Sequence, residues 1–225
     1  MGAGYFGRLA SLLKQFPPSP RDAAQAALFA PLGLGGPRDP AMTDAVLAEA
    51  VEAGIARAVH SVQSWPENGW LRRRNVEGVP SDPLIRAADN VYGPGTQVAE
   101  ESVFWNLRQG PDGEVLSGDK QYRMRFGPGE LPPVDAFWSL TLYDGSYFLF
   151  GNRLDRYGIS DRTEGLRFEA DGSLEIRVQA SEPKSPSANW LPAPDGPFQL
   201  VFRTYQPREA VLKGTYKLPP LELIG

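Results

Sequence analysis

From Phe104 onward the apolar residues recur at every second position, whereas before it they recur at every third and fourth, and this change of period constrains the fold most. A period of two belongs to half-buried strands, whose successive side chains leave opposite faces of a sheet. Tyr122, Met124 and Phe126 alternate with Gln121, Arg123 and Arg125, so the former are expected inward and the guanidinium groups outward. Trp138, Leu140 and Leu142 alternate in the same way with Phe137, Ser139, Thr141 and Tyr143. Asp144-Gly145 then offers a tight turn into Tyr147-Phe148-Leu149-Phe150. Leu166, Phe168 and Ala170 lead through Asp171-Gly172 into Leu174, Ile176 and Val178, a hairpin signature in which both strands share one buried face. Phe198, Leu200 and Phe202 mark another strand before Pro207. With a weaker pair around Asp112-Gly113, the pattern predicts about eight short strands, the number of a double-sheet jelly roll or related antiparallel β-sandwich; a closed barrel is the alternative. The 24 Gly and 22 Pro among 225 residues suit such frequent turns.

The first third reads as helical. Phe6, Leu9, Leu13 and Phe16 share a helix face until Pro17-Pro18, and Ser19-Pro20-Arg21-Asp22 has the form of a capping box opening a second helix that runs to about Ala30. A loop over Gly33 to Pro37 precedes Asp39-Pro40, which caps a longer helix with the stripe Leu47, Val51, Ile55, Ala58 and Val62, expected to end near Trp65-Pro66. Residues 66 to about 100 read as a Pro-, Gly- and charge-rich transition in which Arg72-Arg73-Arg74 can touch an anionic ligand but reads as solvated surface. The expected organisation is a helical N-terminal region and connector over 1–85 and a jelly-roll-like sandwich over 86–225.

Composition removes much common chemistry. With no Cys there is no disulfide framework, thiolate nucleophile or Cys-ligated metal, and with one His, His60, there is no His-rich metal cage. His60 falls among Glu49, Glu52 and Ala56 on the polar side of its helix, a place for a solvated histidine rather than a catalytic base. The net charge of −4, from 27 acids and 23 bases, disfavours phosphate backbones, so no nucleic-acid partner is expected. Neither a signal-peptide core nor the roughly 20 apolar residues of a membrane span occur, so a cytoplasmic location is the expectation. No Gly-rich phosphate loop follows a strand, and neither a metal nor a cofactor is expected.

What survives is Asp, Tyr and Arg chemistry. The segment from Asn152 to Arg162 is crowded with hydrogen-bonding groups: Arg156 can grip an anion or a sugar hydroxyl, Asp161 can orient it or act as acid or base, and Tyr157 can stack on a ligand. Asp155 and Asp161 form the candidate carboxylate pair for a glycosidase, which needs a separation of about 5 to 10 Å. The competing structural reading ties this loop to strand ends. In Asn189-Trp190-Leu191-Pro192-Ala193-Pro194, two prolines stiffen a segment that can present Trp190 to a ligand while Asn189 reads a hydroxyl, or can plug the end of a sandwich. Arg203 and Tyr205 share one side of the last long strand, either toward a pocket between sheets or toward solvent. Trp138, Phe148 and Phe202 read as core, and Asp144 and Asp171 as turn residues.

Several of these motifs, in order, resemble a known family. Phe137-Trp138-Ser139-Leu140-Thr141-Leu142-Tyr143-Asp144, Asn152-Arg153-Leu154-Asp155-Arg156-Tyr157 and Asn189 to Pro194 are similar to the bacterial domain of unknown function numbered 1214. Asp171-Gly172-Ser173-Leu174, Arg203-x-Tyr205 and Gly214-Thr215-Tyr216 before Pro219-Pro220 extend the resemblance, and Tyr5-Phe6 through Leu32-Gly33 resembles the helical connector preceding that domain. The resemblance implies a jelly-roll-like sandwich behind a small helical region and no established reaction. The N-terminal β domain numbered 1254 that commonly accompanies it is not expected in this chain, and Phe104 stands where relatives often carry Tyr. Three functions stay open. One is a pocket for a polar, amphipathic or carbohydrate-like small molecule built on Asn152, Arg156, Asn189, Trp190, Arg203 and Tyr205. The second is a metal-independent hydrolase, cyclase or isomerase using Asp161, Tyr157 and Asp155. The third is a structural protein, with homo-oligomeric contacts allowed.

Overall fold

A computed structural model describes residues 4–30, 34, 45–60, 64–73, 97–184 and 189–224. The expected 33–37 loop apart from Leu34, the Asp39-Pro40 cap and Arg74 fall outside these residues, as do the side chains of Phe6, Leu47, Ile55, Ala58, His60 and Val62. The chain divides into two compact units, Met1–Ser61 with Pro83–Val91, and Val62–Asp82 with Tyr92–Gly225.

The first unit contains α1 (Gly4–Gln15), α2 (Pro20–Ala27) and α3 (Ala45–His60). Pro20 opens α2, and the Ser19 hydroxyl donates to the Asp22 carboxylate at 2.8 Å, the side-chain part of the expected cap. Ala10 is buried and Leu9 and Leu13 are half-buried, while Phe16, beyond the last turn of α1, is exposed. Helix α3 stops at His60, short of the expected Trp65-Pro66, because Ser64 onward is strand.

In the second unit the expected transition contains a hairpin, β1 (Ser64–Glu67) and β2 (Trp70–Arg73), turning at Asn68-Gly69, both with positive φ. It is followed by β3 (Ser102–Leu107), β4 (Tyr122–Phe126), β5 (Val134–Asp144), β6 (Gly158–Ser160), β7 (Leu174–Gln179), β8 (Asn189–Pro192), β9 (Phe198–Pro207), the short helix α4 (Glu209–Leu212) and β10 (Leu221–Leu223). Six strands form one sheet in the order β1-β2-β3-β9-β5-β6 and four form the other, β10-β4-β7-β8. The fold is therefore mainly β and sandwich-like. Its pairings are antiparallel except β7 with β8, which makes the smaller sheet mixed where the alternation pattern suggested antiparallel strands throughout.

The period of two places the core. Trp105, Trp138, Leu140, Phe202 and Leu200 point inward from the larger sheet, and Tyr122, Met124, Phe126, Ile176 and Val178 from the smaller; all are at most 2 % exposed. Phe126 meets Trp138 and Phe202 across the interface at ring separations of 5.7 and 6.0 Å. Burying each such aromatic side chain contributes roughly 2–3 kcal/mol. Arg72, read as solvated, instead donates to the Val211 carbonyl at 2.7 Å, meeting the carbonyl-rich end of α4.

Two expected strands are absent. After β5, Asp144 Oδ1 accepts the N–H groups of Ser146 and Phe148 at 2.8 and 3.0 Å, curling residues 145–149 into a turn. Phe148, read as core, is 71 % exposed there. Residues 166–170 form no strand, since β7 already has β4 on one edge and β8 on the other. The Asp171-Gly172 turn is present, with Gly172 at φ 83°, and Phe168 lies exposed beside it.

Candidate functional site

The polar side chains of the 152–162 segment and of β8 are engaged mainly with backbone. Asn152 donates to the carbonyls of Phe150 (3.1 Å) and Arg156 (2.8 Å), and its carbonyl oxygen accepts from Leu154 and Arg156 N–H. Asn189, buried in β8, accepts from Arg167 N–H at 2.9 Å and donates to the carbonyls of Arg167 and Glu175, both at 2.8 Å. Arg156 donates to the Trp190 carbonyl at 2.8 Å, which fastens the loop to β8. Trp190 is 6 % exposed, its indole N–H donates to the Gln179 carbonyl, and the Arg153 guanidinium covers its ring at 5.5 Å. Asp155, exposed with φ 49°, accepts from the Tyr157 hydroxyl at 3.3 Å. Asp161, also exposed, accepts from Trp138 N–H at 3.2 Å where β6 runs beside β5. Among the described residues, no three His, Asp or Glu side chains converge as a metal site.

Arg203 and Tyr205 lie in a different setting. Because Phe202 and Thr204 enter the core, Arg203 and Tyr205 must leave the opposite face of β9, the outer face of the larger sheet. Strand register places Arg203 between Phe104 of β3 and Ser139 of β5, and Tyr205 between Ser102 and Phe137. A continuous series of contacts results. The Arg162 guanidinium lies 4.3 Å from the Phe137 ring centre; Phe137 stacks on Tyr205 at 4.3 Å; Tyr205 meets Phe104 edge-on at 6.4 Å; and the Arg203 guanidinium lies 5.4 Å from Phe104 and 5.6 Å from Tyr143. Arg203 also donates to the Tyr143 hydroxyl at 2.9 Å. Phe104, Phe137, Tyr143, Tyr205 and Arg203 are all half-buried.

The two sheets treat their outward arginines differently. On the smaller sheet Arg123, Arg125 and Arg177 each have a carboxylate partner, Glu222, Asp171 and Glu175 respectively. On the larger sheet Arg162 donates to the Ala136 carbonyl at 3.2 Å, and neither it nor Arg203 has a carboxylate within 4 Å among the described residues. A half-buried guanidinium held by a phenol and two rings retains unused N–H donors and positive charge. The face can therefore accept an anion beside a flat apolar group. The sequence showed Arg203 and Tyr205 as a pair. Phe137, Tyr143 and Arg162 were missed as their partners, because only strand order brings them alongside β9.

Fold and surface together define a two-sheet β protein with an arginine–aromatic outer face. Residues 101–209 match the model of the family described as "Protein of unknown function (DUF1214)". The VPA0106 protein from Vibrio parahaemolyticus, a solved structure, shares the fold at a TM-score of 0.62 with 23 % identity, over 91 % of this chain and 51 % of that one. An uncharacterised protein from Burkholderia cenocepacia aligns at a TM-score of 0.38 and 13 % identity, over 82 % of this chain and 44 % of its own. The chain thus spans about half the length of these solved structures. No curated protein matches it.

Proposed function

We propose that the outer face of the larger sheet binds a small amphipathic anion, a carboxylate carried on a flat or alicyclic hydrocarbon body. The observation that carries this reading is Arg203, half-buried between Phe104 and Tyr143, which donates to a phenol and has no carboxylate partner among the described residues. Removing charge from water without a counter-ion is unfavourable, so a ligand carboxylate supplies what the protein leaves out, through the paired N–H geometry of the guanidinium. The stacked Phe137 and Tyr205 rings supply the apolar contact, and Arg162 a second positive charge.

Calorimetric titration with 2-naphthoate, and with 2-naphthylmethanol as the uncharged counterpart, tests the reading. The carboxylate should bind at least about tenfold more tightly, the lower range for a charge-assisted hydrogen bond. Arg203→Gln should abolish that preference while leaving the far-ultraviolet circular dichroism unchanged. Equal binding of acid and alcohol, or an unchanged preference in Arg203→Gln, rejects it.

A further inference from the structure

A cleft of about 450 Å3 opens elsewhere in the second unit, where the β1–β2 turn, the segment after β4 and the segment between α4 and β10 meet. Phe126, Leu131 and Leu218 supply apolar walls, and Asn68, Glu130, Tyr216 and Lys217 supply polar groups. Its volume lies within the usual range of small-molecule sites.

The charges in the cleft do not cancel. Lys217 Nζ lies 2.6 Å from Glu67 Oε1, while Glu67 Oε2 accepts the Trp105 indole N–H at 3.2 Å. Lys217 and Glu67 therefore form a neutral pair. The Asn68 amide donates to the Leu218 carbonyl at 2.8 Å, and the Tyr216 hydroxyl donates to the Glu130 backbone carbonyl at 3.1 Å. The Glu130 carboxylate accepts from Gly127 N–H at 3.1 Å and forms no ion pair among the described residues. Burial, with the nearby Glu130 charge in support, raises the Tyr216 phenol above its ordinary value and keeps it neutral. Glu130 is thus the one charged residue lining the cleft that has no ion-pair partner among the described residues.

We propose that this cleft is a binding site for an organic cation, an ammonium group on a compact hydrocarbon body, with Glu130 as its counter-ion. The site has the opposite charge preference to the arginine–aromatic face, so the two can be told apart with one carbon skeleton in three charge states.

Cyclohexylammonium, cyclohexanol and cyclohexanecarboxylate are titrated into the full chain at pH 7 and followed by backbone amide shifts. The expected result is that cyclohexylammonium perturbs residues 126–133 and 215–219 and binds about threefold more tightly there than cyclohexanol, a modest ratio because Glu130 is exposed. Glu130→Gln keeps an acceptor for Gly127 N–H and should remove the ammonium preference without moving the spectrum of the ligand-free chain. Equal binding of amine and alcohol, retention of the preference in Glu130→Gln, or ammonium shifts confined to other residues each overturns the proposal. Failure of 2-naphthoate to bind bears on the other face alone.

Discussion

At the scale of single residues, the asparagines show how a polar motif can be used up by the backbone it supports. Asn189 makes three hydrogen bonds to main-chain groups of Arg167 and Glu175 from an almost fully buried position, so Asn189→Ala strands an N–H and two carbonyls. The loss should be about 3 kcal/mol, seen as a lower urea midpoint at unchanged slope; a change below about 1 kcal/mol would show that water replaces the amide. The sequence marked Asn152 by the density of hydrogen-bonding groups in its segment, and Asn189 by the aromatic and the two prolines that follow it. It could not tell a ligand contact from a backbone contact, since the partner of Asn189 lies 22 residues away, at Arg167, in a run whose alternation reads as a strand. For Arg203 the ambiguity was narrower. Alternation showed that it opposed Phe202, and only the knowledge of which sheet face holds the core turned that into an outward direction.

At the scale of elements, strands with strict alternation were legible and interrupted ones were not. β4, β5, β7 and β9 stand where Tyr122-Met124-Phe126, Trp138-Leu140-Leu142, Leu174-Ile176-Val178 and Phe198-Leu200-Phe202 put them. The runs 147–150 and 166–170 carry strand-like apolar residues as well but lose to side-chain competition: Asp144 captures the first, and Asn189 takes the backbone of Arg167 in the second. β1 and β2 were hidden because four residues are too few to show a period. Connections between elements impose their own limits. Gly118 follows the Ser117–Pro197 bridge, and a Cβ there would sit 1.8 Å from the Pro194 carbonyl oxygen. Gly118→Ala must push the 117–120 turn away from the 194–197 segment and should cost at least about 3 kcal/mol, lowering the thermal midpoint by several degrees. Gly151→Ala, with nothing within 4 Å of the added carbon, should shift it little. Equal midpoints for the two variants would show that the 194–197 segment yields freely.

At the scale of the whole chain, the balance of 27 acids and 23 bases sets the net charge but not the pH limits of the fold, which depend on where individual groups lie. On the acid side, Lys120 and the Glu114 N–H depress the Asp112 carboxylate, and Ser173 depresses Asp171. Their contribution is present above the ordinary value of 3.8 and is lost as pH falls through the depressed ones. The alkaline side rests on tyrosines raised by burial, Tyr216 and Tyr122, which the sequence could not distinguish from the other six of its 8 tyrosines. In the unfolded chain each ionises near 10, while in the fold Tyr216 keeps its proton to higher pH. The unfolded state therefore releases protons first, and stability present below pH 10 falls as pH rises beyond it. For Tyr216 the slope approaches 1.4 kcal/mol per pH unit, the value for one proton. Tyr216→Phe gives up the hydrogen bond to Glu130, about 1 kcal/mol at neutral pH, and should then lose stability more slowly between pH 10 and 11. Urea unfolding at half-unit pH steps reads this directly: curves that converge toward high pH support a buried neutral phenol, and parallel curves mean that Tyr216 ionises in the fold as readily as in the unfolded chain.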